Sequence, residues 1–182
     1  MTETSSPSPG KQVAFLVAAE GIEQVELTEP WQAVEKAGGA PRLVSPESGT
    51  VQAFHHLDRG DTFEVDLTVA DADPAAFDAL VLPGGVANPD ALRMDQDAVA
   101  FVRAFVGSGK PVAAICHAAW SLVEAGVLDG RTVTSWPSLQ TDVRNAGGTW
   151  VDQEVVIDGN LITSRKPDDL DAFNAALVDA LT

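Results

Sequence analysis

Apolar residues in this chain cluster in short runs, separated by longer stretches with helical spacing. Residues 12–19 (QVAFLVAA) form a nearly continuous apolar run of strand length. Such a run predicts a strand buried on both faces, as in parallel sheets. Over residues 26–37, Leu27, Trp31 and Val34 recur at helical spacing, and Gly38-Gly39 marks the stop. Residues 41–45 (PRLVS) predict a second strand. Residues 51–69 alternate weakly around Asp58-Arg59-Gly60-Asp61 and predict a hairpin turning there. Residues 79–82 (ALVL) predict a buried strand ended by Pro83-Gly84-Gly85. A helix is expected over 90–106, with Val99, Val102, Ala104 and Val106 toward the core. Residues 111–115 (PVAAI) predict a strand, and 116–125 a helix ended by Gly126. A short strand at 133–135 and a helix at 138–146, closed by Gly147-Gly148, follow. Residues 154–157 and 161–164 are expected to pair across Asp158-Gly159-Asn160, a strong hairpin signal. The last helix, 168–181, carries Asp168 and Asp169 near its start, where the helix dipole favours them.

Strands alternating with helices of this length imply βαβ units and a parallel sheet covered on both faces. Ligands in such sheets sit beyond the carboxyl ends of the strands. Three loops leave such ends: residues 20–24, residues 83–90 and the turn at Cys116. If their strands are neighbours, the loops converge.

Residues 1–10 (MTETSSPSPG) show no apolar period and predict a disordered tail before one domain at 11–182. The tail lacks the basic and apolar regions of a secretory signal, and no run of about 18 apolar residues predicts a membrane span. Eleven Lys and Arg against 27 Asp and Glu give a formal net charge of −16. Such a surface repels phosphate backbones and anionic headgroups, so neither nucleic acid nor membrane is an expected partner. With one cysteine, no intrachain disulfide can form, and a reducing, cytoplasmic location is expected.

That cysteine is Cys116, in Ala114-Ile115-Cys116-His117-Ala118, between an apolar strand and a helix. A nucleophile on a sharp strand-to-helix turn needs small residues two before and two after it, and Ala114 and Ala118 meet that need. A helix N-terminus would also favour thiolate and lower the thiol pKa. His117 follows directly and could act as the base of a Cys-His nucleophile. Gly84 and Gly85 end a buried strand, where bare N–H groups could join that of His117 in an oxyanion hole. Glu23 and Glu26 stand after the first strand; a carboxyl aimed at Cys116 would have to be protonated beside a thiolate. No spacing of His, Cys or acids suggests a metal site, and no cofactor is expected.

At these residues the chain resembles the ThiJ/PfpI family, in particular its PfpI-type intracellular-protease and general-stress branch. The matching pieces run from about Lys11 to the C-terminus: FLVAAEGIEQVEL, FDALVLPGG, NPDALR, GKPVAAICH, NAGGTWVDQEVVIDGNLITSR and PDDLDAFN. The resemblance implies a flavodoxin-like three-layer α/β/α sandwich. It makes Cys116 the nucleophile and His117 its partner. Glu23 matches the glutamate that hydrogen-bonds the sulfur, and Gly85 with the His117 N–H matches the oxyanion hole. Asp90 matches an acid that reaches the histidine across a subunit interface, which implies a homodimer or hexamer. The usual Cys-His-Gly-Pro is replaced here by Cys-His-Ala-Ala-Trp, and Trp120 and Trp136 are candidate pocket-lining residues with Gly84.

The expected function is a cysteine hydrolase of stress response acting on small carbonyl, acyl or peptide substrates, with deglycase, glyoxalase-like or peptidase activity. The alternative is a redox sensor whose cysteine oxidises to sulfinate without significant turnover. A class I glutamine amidotransferase needs a His-x-Glu pair downstream of its cysteine, and no histidine follows His117.

Overall fold

The computed structural model describes residues 10–182, so all of the expected tail but Gly10 lies outside the described residues. The strands are β1 (Gln12–Leu16), β2 (Glu20–Glu23), β3 (Ala40–Ser45), β4 (Thr50–His55), β5 (Asp58–Glu64), β6 (Leu67–Thr68), β7 (Ala79–Leu82), β8 (Val112–Ile115), β9 (Thr132–Val133), β10 (Thr149–Trp150), β11 (Val156–Asp158) and β12 (Leu161–Ser164). The α-helices are α1 (Gln24–Lys36), α2 (Ala87–Leu92), α3 (Gln96–Gly107), α4 (Ala119–Glu124), α5 (Gln140–Asn145) and α6 (Leu170–Ala180).

Seven strands form one sheet in the order β11-β12-β8-β7-β1-β3-β6, parallel except for β11. The apolar runs explain this sheet, because each strand feeds two cores. Ala14, Leu16, Leu80, Leu82, Val112 and Ala114 pack with Phe101 and Phe105 of α3 and Leu122 of α4. Their alternates Val13, Phe15, Ala79, Val81, Ala113 and Ile115 pack with Leu27 and Val34 of α1 and Phe173 and Leu177 of α6. Side chains alternate across a strand, so continuous apolar sequence means helices on both faces. The result is the expected flavodoxin-like α/β/α sandwich, with β8, β7 and β1 side by side.

Four local expectations are corrected. The helix expected over 90–106 is two helices, because Asp95 Oδ1 accepts from Ala98 N at 2.8 Å and caps a fresh start at α3. Phe101 and Phe105 fill the core there, whereas Ala104 is exposed. The hairpin turns at His56-Leu57, not at residues 58–61, which belong to β5. Gln24 holds that polar stretch extended, with Gln24 Oε1 accepting from Asp61 N and Nε2 donating to Asp61 Oδ2, both at 2.8 Å. Finally, β2 pairs in parallel with β4 and sets a small second sheet beside the first. Its sequence, EGIE, has no apolar alternation to announce it.

One buried side chain ties the loops at the sheet's carboxyl edge. Asn88, fully buried in α2, accepts from Ala18 N at 2.7 Å. Its Nδ2 donates to the carbonyls of Pro83 at 3.0 Å and Gly84 at 3.1 Å. Asn88 thus fastens the end of β7 to the end of β1. Replacing Asn88 by Ala orphans the buried Ala18 N–H and the Pro83 carbonyl and leaves Gly84 O only the 3.4 Å bond from Glu23 N, and is expected to cost about 2–4 kcal/mol. Urea unfolding of Asn88→Ala beside the wild type measures that loss; a midpoint equal to wild type contradicts it.

Candidate active site

The sheet order brings the three expected loops together. Cys116 ends the fully buried β8 and adopts φ 64°, a left-handed conformation that L-residues with a Cβ rarely take. Strain of this kind costs roughly 1–3 kcal/mol and is kept where the surroundings over-determine it. Here one 3₁₀ turn (Cys116–Ala118) leads directly into α4, Ala114 and Ala118 are buried beside it, and Trp136 N donates to Cys116 O at 3.1 Å.

Gly84 lets the β7 loop press against this turn. A Cβ on Gly84 would lie 2.5 Å from Glu26 Oε1 and 2.7 Å from Cys116 Cβ, closer than any side chain can sit. Gly85, at φ 84°, has the backbone of Gly21 and Glu23 where its own Cβ would be. The N–H groups of Gly85 and His117 both face the sulfur.

The carboxyl beside the sulfur belongs to Glu26, not to the expected Glu23. Glu26 lies in the first turn of α1, is fully buried, and faces the Cys116 thiol. Neither of its oxygens has a hydrogen bond of ordinary geometry among the described residues. Burial, and then the like charge of Glu23, push its pKa up from 4.5 to about 8, against the Gly85 and Gly84 N–H groups and the thiol. Glu26 is therefore protonated at neutral pH and can donate to sulfur. Glu23 stands at the end of β2, half-buried, and its carboxylate accepts the His56 N–H at 3.1 Å. The sequence did hold a signal: residue 26 is one helical repeat from Pro30 and two from Val34, on the buried stripe of α1.

The thiol itself also departs from expectation. Burial raises its pKa, negative charge on Glu26 once it ionises and on Glu23 acts in the same direction, and the His117 and Gly85 N–H groups lower it. Desolvation outweighs the short helix start, so the sulfur holds its proton more tightly than a free cysteine does. Next to it, His117 Nδ1 lies 3.2 Å from Sγ. Burial lowers the His117 pKa, so the ring is neutral and can accept the thiol proton.

A cavity of about 700 Å³ opens above the sulfur. Gly85, Cys116, His117 and Trp136 line it as expected, and Glu23 and Glu26 also face it. Gly84 and Trp120 do not line it; Gly84 presses against the Cys116 turn, and Trp120 makes a T-shaped contact with the His117 ring. Asp90 is exposed on α2 and makes neither hydrogen bond nor ion pair with His117 among the described residues. The sequence reading missed the opposite wall, where Phe54, His56 and Leu57 come from the β4–β5 hairpin and Lys166 and Asp168 from the turn before α6. Among the described residues no group of three His, Cys, Asp or Glu side chains is placed to hold a metal, and no helix is long and apolar enough to cross a membrane.

Because Glu26 binds its proton more tightly folded than unfolded, it contributes stability that is complete below its unfolded pKa of 4.5 and is lost as pH rises toward about 8. Glu26→Gln is expected to remove this fall. Urea unfolding of both proteins from pH 5 to pH 8.5 checks it: the stability difference between them must change across that window.

Comparisons with known proteins agree with this geometry. The model of the DJ-1/PfpI family matches residues 11–180. Deglycase PH1704 of Pyrococcus horikoshii is 45% identical over 170 residues, 93% of this chain and 99% of that protein. Deglycase PfpI of Pyrococcus furiosus is 42% identical over 170 residues, again 93% and 99% of the two chains. The crystal structure of a two-domain protein from Anabaena variabilis, with DJ-1/ThiJ/PfpI-like and ferritin-like domains, superposes with a TM-score of 0.88 at 33% identity. That match covers 94% of this chain and 48% of the two-domain chain. A cysteine on a left-handed elbow, a buried carboxyl at its sulfur and a family match over nearly the whole length all lead to one conclusion: this chain belongs to the DJ-1/PfpI family.

Proposed function

We propose that this protein is a cysteine-dependent hydrolase of the deglycase type, acting on small carbonyl and acyl groups. The observation that carries the reading is the Cys116 Sγ at the floor of the cavity with His117 Nδ1 3.2 Å away. The deglycases it resembles support the substrate class.

In this reading His117 Nδ1 takes the thiol proton as Sγ attacks the carbonyl carbon. The C=O π pair moves onto oxygen, and the Gly85 and His117 N–H groups hold the charge; each such donor is worth about 2.7–4 kcal/mol in acyl-transfer enzymes. With an amide substrate, collapse of the adduct breaks the bond from carbon to the leaving nitrogen, which takes the proton from the imidazolium; with methylglyoxal the adduct is a hemithioacetal, and moving its C1 proton to C2 through an enediol gives a thioester with no outside oxidant. Water then adds to the thioester, the C–S bond breaks, and the carboxylic acid leaves with the thiol restored. Protonated Glu26 supplies a neutral donor at the sulfur, so no second negative charge opposes the thiolate as it forms.

An oxidation-sensing reading has one specific observation in its favour, the protonated Glu26 beside Sγ. Peroxide could convert the thiol to sulfinate in two steps, each transferring one oxygen and releasing one water, and the Glu26 O–H would then hydrogen-bond the product. Intact mass after graded peroxide distinguishes the two: a stable gain of two oxygens at low peroxide, with no turnover of any substrate, replaces the hydrolase reading.

The decisive measurement for the hydrolase is a panel of methylglyoxal, methylglyoxal-modified amino acids and short peptide amides. Cys116→Ser is expected to lose activity by at least about a hundredfold on every substrate the wild type turns over. Equal rates in the purified variant sink the reading.

A further inference from the structure

Chemistry of this kind requires His117 to keep Nδ1 on the sulfur, and the ring makes no other hydrogen bond among the described residues. In Cys-His nucleophiles a third group usually orients the imidazole. Here two indoles pack against the ring. Trp136 stacks on one face with centroids 5.6 Å apart and an interplanar angle of 21°. Trp120 meets it edge-on at 5.3 Å and 65°.

The Trp120 indole is fixed independently of the histidine. Trp120 Nε1 donates to Asp142 Oδ2 of α5 at 2.9 Å. The Arg93 guanidinium covers the Trp120 ring at 5.8 Å and is itself bound to Glu124 at 3.1 Å. The Trp136 backbone is tied to the elbow through its N–H to Cys116 O at 3.1 Å. An imidazole gripped in this way has little freedom to turn about its Cβ–Cγ bond, and an aromatic face also favours the imidazolium once the proton arrives.

We propose that Trp120 and Trp136 are positioning residues that hold the His117 ring on the sulfur. This rests on the reading of His117 as the base for Cys116. Trp120 is the cleaner test, because it does not line the cavity and its replacement leaves room for substrate unchanged.

Cys116 is the only cysteine, so its alkylation by iodoacetamide reports base-assisted thiol reactivity without any substrate. At neutral pH, Trp120→Leu is expected to slow alkylation about tenfold, toward the rate of His117→Ala, whereas Trp120→Phe stays within about threefold of wild type. Asp142→Ala, which frees the Trp120 indole, is expected to fall between them. On any substrate the enzyme turns over, Trp120→Leu should lower kcat and leave KM within about twofold. An unchanged alkylation rate in folded Trp120→Leu overturns the proposal, as does a tenfold drop in Asp90→Asn alone. Should Trp120→Leu fail to fold, Asp142→Ala decides in its place, and a wild-type rate there overturns it. A protein that turns over no substrate but keeps this order of alkylation rates defeats the hydrolase reading and leaves the clamp standing.

Discussion

Three loops can meet at one sulfur because residue 84 has no side chain. The Glu26 carboxyl and the Cys116 Cβ both occupy the space that any Cβ at Gly84 would need. This contact sets the depth of the site. It lets α1 begin close enough to β7 to bury a carboxyl, and burial is what keeps that carboxyl protonated. It also lets the β7 loop present the Gly85 N–H to the sulfur. The electrostatics of the site therefore follow from a steric fact of the backbone.

The same packing pushes the thiol pKa up rather than down. A helix start can stabilise a nearby anion, but only the 3₁₀ turn and a six-residue helix follow Cys116. Against them stands the loss of nearly all water around the sulfur. A neutral thiol, a neutral carboxyl and a neutral imidazole form a set without net charge at the floor of a very acidic protein. Charge is created there only when a proton moves from sulfur to nitrogen, and the two rings beside His117 are placed where that charge appears.

Much of this was legible in the chain. Unbroken apolar runs of strand length mean burial on two faces, and that pattern located β1, β7 and β8 and with them the elbow at Cys116. Helical spacing located α1 and α6. What the pattern could not show was anything decided by side-chain hydrogen bonds at a distance. The break between α2 and α3 depends on the cap at Asp95, and the hairpin turn depends on Gln24 holding Asp61 in a strand. Glu23 and Glu26 differ by less than one helical turn, and only the exact start of α1 decides which of them points inward. Asn88 left no local trace, because its three partners are four, five and seventy residues away.

Asn88 also divides the site into parts of unequal permanence. Its bonds join the floor of the cavity to the ends of two central strands, so opening the floor also requires breaking the ends of those strands. The opposite wall is a hairpin outside the main sheet, ending in Leu57 at 91% exposure and fastened at its tip through one backbone N–H to Glu23. Opening of that tip, His56-Leu57, disrupts little buried surface. The reacting groups thus keep their alignment through fluctuations that admit and release small molecules, and traffic into the cavity is separated in energy from the geometry of the chemistry.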